Sequence, residues 1–403
     1  MPPRTGTALC QALLLVWLLP GAAFASLSDV FKSKQFASLE LAPVGAALAS
    51  TVSSTYPVAS ASSSVTYVYN PELDTLERRT GVAGPIFGER AETIGAGEFD
   101  LVLSYSYIHL STVNGEDLDS LPNRARVNGR VLFFPVKGGL TLNDGRFTNF
   151  LPVQANVDLD VTAHQIAPSL TYGITPDLDV NLVLPLLVTS LDVTAHTTVP
   201  DPRFPEFKLK PGDPRARMQD LTGADTATGI GDLLLRTKYV IHHGKPFDLA
   251  WGLALSLPTG NEDNFQGSGT THVGPTLIFS RIFAERVEPF LNLGVDLNTD
   301  DVGRSVFRWA VGATGQMLNS LTAAVVFLGR NEFAAQADPI PVPFFFQIER
   351  NDIYDASIGL RWNFTDTGVL SANVLLPLNR DGLRADFIPT IEIEYPFSVG
   401  RHR

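Results

Sequence analysis

The chain has 403 residues, 44% of them hydrophobic and 18% charged, with a formal net charge of −12. No apolar run after the N-terminus is long enough for a transmembrane helix, which excludes a helical membrane protein. No basic block suggests nucleic acid as a partner, while plentiful Gly (33) and Phe (25) suit many short strands and turns.

Residues 1–25 read as an export signal. Arg4 supplies the positive start, Leu13 to Leu19 the apolar core, and Pro20-Gly21 the break. Ala23-Phe24-Ala25 fits the small-x-small cleavage rule, which puts Ser26 first in the mature chain. The single cysteine, Cys10, precedes the apolar core, so disulfides and thiolate metal sites are not expected in the mature chain.

Residues 26–95 form an N-terminal periplasmic lead-in. Residues 28–41 suit a short helix, the Ala/Ser-rich residues 46–64 a linker, and residues 65–69 a strand. A disordered or rim-packed lead-in is preferred here over a plug.

From Phe99 onward one device repeats. About ten residues alternate apolar with polar or small ones, and a turn follows. Phe99, Leu101, Leu103, Tyr105 and Tyr107 alternate with Asp100, Ser104 and Ser106. Leu178, Val180, Leu182, Leu184 and Leu186 alternate with Asp179 and Asn181. Similar runs recur to Phe397. A soluble sandwich would also alternate, so the connections decide. Residues 111–152, 196–228 and 329–352 are long. Residues 175–177, 242–246 and 365–368 are short. Long extracellular loops alternating with short periplasmic turns are the pattern of an outer-membrane barrel.

The expected fold is all-β: a closed antiparallel up-and-down transmembrane β-barrel of about twelve strands. It spans residues 96–397, with 398–403 as a tail, in the bacterial outer membrane. The inward face should carry Asp232, Arg236, Lys238, Asp248, Gly252, Glu288, Arg308, Asp355, Arg361, Glu392 and Glu394. These charges either line a polar path or pair and seal the lumen, and sealing is preferred because unpaired confined charges are costly. Tyr172, Tyr239, Phe247, Phe364, Tyr395 and Phe397 should ring the periplasmic rim. The second strand changes phase between Val161 and Leu170, which predicts a bulge over residues 163–167. Residues 131–134 suit an extra strand or a loop hairpin.

Several blocks then resemble a known family. Gly229-Ile230-Gly231-Asp232-Leu233-Leu234-Leu235-Arg236-Thr237-Lys238-Tyr239 is similar to a recurrent strand of the outer-membrane transporters named for the meta-pathway of phenol degradation. Residues 172–186, 255–260 and 84–95 resemble further blocks of that family. The resemblance implies a barrel that takes up aromatic or other apolar compounds. It implies no catalytic residues, and none is assigned.

No nucleotide-binding, zinc-protease or hydrolase motif occurs, so no enzyme activity, cofactor or metal is expected. His242-His243 reads as a solvated turn, and His109, His164, His196 and His272 as loop or strand-end residues. Pro339-Ile340-Pro341-Val342-Pro343-Phe344-Phe345-Phe346 places an apolar cluster in a long extracellular loop. Phe344, Phe345 and Phe346 either pack on other loops, the preferred reading, or bind an apolar solute.

The leading functional expectation is a passive outer-membrane channel or carrier for small apolar, including aromatic, compounds. A closed structural or surface barrel is the alternative, and a lipid-modifying or proteolytic barrel the second. Expected partners are outer-membrane lipid, lipopolysaccharide, the barrel-assembly machinery and a small apolar solute.

Overall fold

A computed structural model describes residues 26–33, 36, 41–57, 59–60, 67–70, 75–78, 82–120, 133–202, 204–244, 246–284, 286–334, 352–365 and 368–398. Twelve antiparallel strands close one barrel. The first, β1 (Glu98–Val113), pairs on one side with β2 (Gln154–Thr175). On its other side it pairs with the last, β12 (Ile388–Ser398), which closes the cylinder. Closure leaves the lower sheet no edge to protect.

The third strand, β3, runs from Leu178–Val183 into Leu186–Val199, with Leu184-Pro185 interrupting the ladder. The fourth, β4, runs from Arg217–Ile230 into Leu233–His242, broken at Gly231-Asp232. Then follow β5 (Asp248–Leu257), β6 (His272–Ser280), β7 (Val287–Asn298) and β8 (Val306–Leu318). The remaining strands are β9 (Leu321–Glu332), β10 (Ile353–Asn363) and β11 (Val369–Pro377). Each pairs with its neighbours in chain order.

The barrel follows the sequence alternation. Leu101, Leu103 and Tyr105 of β1 face outward and are exposed, whereas Asp100, Ser104 and Ser106 are buried inside. The six predicted rim aromatics are all exposed on the outer face, from Phe397 at 37% to Tyr395 at 51%. Phe99 stacks on both Tyr172 and Phe397 at that rim, with centroids 4.5 and 5.3 Å apart. Such an apolar outer band with a girdle of aromatics fits a hydrocarbon layer.

The expected bulge in β2 is absent. Register against β1 runs unbroken from Leu110↔Val161 to Phe99↔Tyr172, and β2 departs from register only beside its turn, between Gly173 and Thr175. What changes is the polarity of the faces. In the upper part Val157, Leu159 and Val161 point inward and are buried, while Asn156 and Asp160 are exposed outside. Strand β3 inverts in the same way, with Leu191, Val193 and Ala195 inside and Asp192 and His196 outside. The upper parts of β2, β3 and β4 therefore stand above the apolar band. Much of the stretch 196–228, read as loop, is strand. The stretch 111–152 carries a hairpin of Phe133–Thr141 with Phe147–Pro152. Val131 and Leu132 lie outside the described residues.

The lead-in explains the inversion. A 3-10 turn at Leu27–Lys32 and helix α1 (Ala42–Val52) lie against the inward residues of the upper strands. Leu27, Phe31, Leu41, Val44, Leu48 and Val52 are each at most 2% exposed. Burial of that kind contributes roughly 1.5–3 kcal/mol per large side chain. A Cβ on Gly45 would sit 2.7 Å from the Phe31 ring, so only glycine lets α1 approach that turn. The rim-packed reading is thus corrected: the 3-10 turn, α1 and the segment from Val82 to Gly95 lie inside the barrel, and the 3-10 turn reaches the extracellular loops. Ser28 Oγ donates to Asp263 at 2.8 Å, and Leu27 N–H donates to Asn264 at 3.0 Å. The linker reading of residues 46–64 is corrected over its first part, which is helical. An uncharged Ala-rich stretch forms a helix once the wall supplies an apolar face.

Candidate functional site in the barrel lumen

The periplasmic half of the lumen is crossed by the segment between Val82 and Gly95. Its backbone is held by side chains of the wall. Ala83 N–H donates to Thr322, Glu89 N–H to Asn292 at 2.7 Å, and Ala91 N–H to Ser280 at 3.0 Å. Asn292 Nδ2 donates back to Glu89 O at 2.8 Å, and Ile94 N–H donates to Asp179 Oδ2 at 3.0 Å. Where this segment meets β2, Gly97 N–H donates to Gly173 O at 2.7 Å, and a Cβ on Gly173 would collide with the Gly95 carbonyl. Buried backbone groups need such partners, because leaving one unpaired costs about 1–3 kcal/mol.

The predicted lumen charges fall into four groups. Arg361 is 3% exposed and joins Glu394 at 2.9 Å, Glu392 at 3.2 Å and the Pro85 carbonyl at 3.0 Å. Glu288 faces Arg90 of the lead-in at 3.6 Å. Arg236 and Lys238 lie 3.6 and 3.8 Å from Glu89. The others sit towards the ends. Arg308 pairs with Asp296, and Asp355 with Arg384. Asp248 lies 3.5 Å from His243 beside a short turn. Asp232 is in the β4 break, where it accepts from Gly260 N–H and Ser268 N–H at 3.0 and 2.7 Å and pins the β5–β6 loop. Phe344, Phe345 and Phe346 lie outside the described residues.

Between the crossing segment and the wall of β3 to β6 lies a cavity of about 80 Å³. Gly252, Ala254, Gly274, Thr276 and Ile278 line one side. Asp179, Asn181, Arg236, Lys238 and Glu89 line the other. Gly252 stands on the inward face that the alternation predicts. Ala254, two residues on along the same strand, shares that face by the same alternation, whereas Gly274 is legible only once register is known: Gly274 faces Ala254 and Thr276 faces Gly252. Asp179 and Asn181 were visible as the polar half of the β3 alternation. Glu89 carries no such signal, because the crossing segment has no period.

At the extracellular mouth Thr270 Oγ1, His272 and Asp296 form a hydrogen-bonded row of 2.9 and 3.1 Å. Asn298 Nδ2 donates to the same Thr270 Oγ1 at 3.1 Å. His109 pairs with Asp160, His164 with Tyr105, and His243 with Asp177.

The family model described as "Putative MetA-pathway of phenol degradation" matches residues 142–382, more than half of the chain. The chain belongs to that family. It is a protein of the bacterial outer membrane, as its closed barrel and apolar girdle require. Among solved structures, an outer-membrane channel from Pseudomonas putida F1 aligns with a TM-score of 0.49 at 13% identity, over 78% of this chain and 100% of that one. A Pseudomonas aeruginosa FadL homologue aligns with a TM-score of 0.35 at 10% identity, over 75% and 90%. The P. putida toluene transporter TodX gives 0.34 at 11% identity, over 76% and 90%. No curated protein matches the chain.

Proposed function

We propose that this family member is a passive outer-membrane channel for small apolar compounds, aromatic ones included, and that the lead-in narrows its lumen as a plug. The observation that carries the reading is the cavity between the crossing segment and β3 to β6. Small walls beside a few grouped polar atoms suit a compact organic solute. A family description tied to phenol degradation supports the aromatic part. Phe344, Phe345 and Phe346 are proposed to meet the solute at the mouth. The apolar belt would contact lipid and lipopolysaccharide, and Tyr395 and Phe397 would contact the assembly machinery.

The test is Gly252→Trp in liposomes. A Cβ on Gly252 would be 3.5 Å from its nearest neighbour, so a side chain can project into the cavity. Permeation of a small aromatic solute should fall several-fold while heat-modifiable gel mobility stays intact. Parent-like permeation in a folded variant would overturn the channel reading.

The Thr270–His272–Asp296 row favours a hydrolase as a second reading, since a hydroxyl, an imidazole and a carboxylate in series can make a nucleophile. Against it, Asn298 donates to the hydroxyl oxygen that would have to attack. We propose that the row braces the mouth and that the protein is not an enzyme. A serine-hydrolase probe that labelled Thr270 would reverse that assignment.

A further inference from the structure

The lead-in starts at the top of the lumen and ends at its foot. Leu27 N–H and Ser28 Oγ donate to Asn264 and Asp263, and the Tyr56 hydroxyl donates to the Phe265 carbonyl at 2.5 Å, all in the extracellular loop between β5 and β6. Lower down, Arg236 of β4 donates to the Ala59 carbonyl at 2.8 Å, and Ser60 N–H donates to the Ile86 carbonyl at 2.8 Å. Residues 82–95 then cross the periplasmic half, and β1 begins at Glu98 on the periplasmic rim. Ser26 is half-buried at the mouth, so a chain that continued before it would have to emerge at the cell surface. The sequence before it carries seven consecutive apolar residues, Leu13 to Leu19. In water that run would expose hydrocarbon at a cost of roughly 1.5–3 kcal/mol for each large side chain. Acting instead as an export signal anchored in the inner membrane, it would hold Ser26 on the periplasmic side.

We infer that signal removal at Ala25-Ser26 precedes the seating of the lead-in, and that the mature N-terminus is held at the extracellular mouth, displayed on the cell surface. Hydrolysis of that peptide bond consumes one water and leaves a carboxylate on Ala25 and an α-ammonium on Ser26. The free end then enters from the periplasm and passes up the lumen. The mouth suits the group that cleavage creates. The Ser26 nitrogen lies 3.3 Å from Asp29 Oδ2, and Asp263 stands one hydroxyl further on, bonded to Ser28. Lys32 takes the other oxygen of Asp29 at 2.7 Å. A peptide nitrogen offers Asp29 one neutral donor, whereas an ammonium offers three and a charge, and charge-assisted hydrogen bonds are about twice as strong. Processing therefore tightens the hold on the tip of the lead-in.

The inference rests on the position of the lead-in and not on transport, so the Gly252→Trp permeation test stands or falls separately. Intact cells are treated with a succinimidyl ester carried on a polyethylene glycol too large for porins, and the N-terminal peptide of the outer-membrane protein is read by mass spectrometry. The peptide should begin at Ser26 and carry the label on its α-amine, while a soluble periplasmic protein in the same cells stays unmodified. The double variant Asp29→Asn, Asp263→Asn keeps oxygen acceptors and removes both carboxylates. Carboxylates favour the ammonium over the free amine that acylates, so this variant, folded by heat-modifiable gel mobility, should label about threefold faster or more at pH 7. Labelling of Ser26 only after the outer membrane is permeabilised would put the N-terminus in the periplasm and overturn the inference. A folded protein whose first residue is not Ser26 would overturn the order of processing and seating. An unchanged labelling rate in the folded double variant would overturn the ammonium contact.

Discussion

The lower and upper parts of β1, β2 and β3 share one backbone alternation and use it in opposite senses. Below, Leu101, Leu103 and Leu182 face outward while Asp100, Asp179 and Asn181 face inward. Above, Ile108, Val161 and Val193 face inward while His109, Asp160 and Asp192 face outward. The medium on each side dictates this. Hydrocarbon surrounds the lower wall and polar groups of the crossing segment fill it. Water surrounds the upper wall, and the apolar side chains of α1 and the 3-10 turn fill it. A strand does not need a bulge to exchange its apolar face; it needs its surroundings to exchange.

The comparison is sharpest where each half is most sensitive. Leu191→Ala removes a buried contact with the lead-in and should cost about 2–5 kcal/mol, read as lost resistance to thermal unfolding in detergent. A loss under about 1 kcal/mol would mean that the lead-in does not pack there. Leu103→Arg puts a charge on the lipid face and should cost roughly 2–4 kcal/mol on folding into vesicles. Asp192→Arg, also outward but above the band, should change stability by about 0.5 kcal/mol or less. Equal penalties at Leu103 and Asp192 would erase the boundary between the halves.

The smallest effect concerns pH. His196 sits on the outer face of the upper part, and its hydrogen bond to Asp220 raises its pKa, with Asp158 adding to the rise. A raised imidazole pKa gives a stabilising contribution that is complete below the ordinary histidine value of about 6.5 and fades as pH climbs through the raised one. The pair is exposed, so solvent screens most of it. Asp220→Asn should bring the His196 titration back towards the ordinary value by NMR. An unchanged titration would show that the water-facing pair is not formed.

The barrel was legible because its signal is local. Alternation within strands and the order of long and short connections need no knowledge of partners, and both survive in the structure. The cavity was only half legible. Arg236, Lys238 and Gly252 share the inward face of two adjacent strands, so parity found them. Glu89 was out of reach because a segment that threads a lumen has neither a helical nor a strand period. The lead-in was misread for a related reason. Its Ala- and Ser-rich sequence has too little apolar surface for a core of its own, and it gains one only from inward residues such as Leu159 and Leu191. The phase change in β2 was real in the sequence, but it recorded the lead-in behind the strand and not a defect in the ladder.

Everything proposed for this protein depends on the lead-in lying inside the barrel, and one cross-link tests that most directly. Ala91 N–H and the Ser280 hydroxyl are 3.0 Å apart, across the gap between lead-in and wall. Cysteines at Ala91 and Ser280, introduced together into a chain whose one native cysteine is Cys10, should join on mild oxidation in intact outer membranes. Ala91 paired with Asp192, on the outer face of the upper wall, should not join. Efficient joining of the first pair alone is the result predicted here. Failure of the first pair in a folded barrel would put the lead-in elsewhere, remove one side of the cavity and contradict the account.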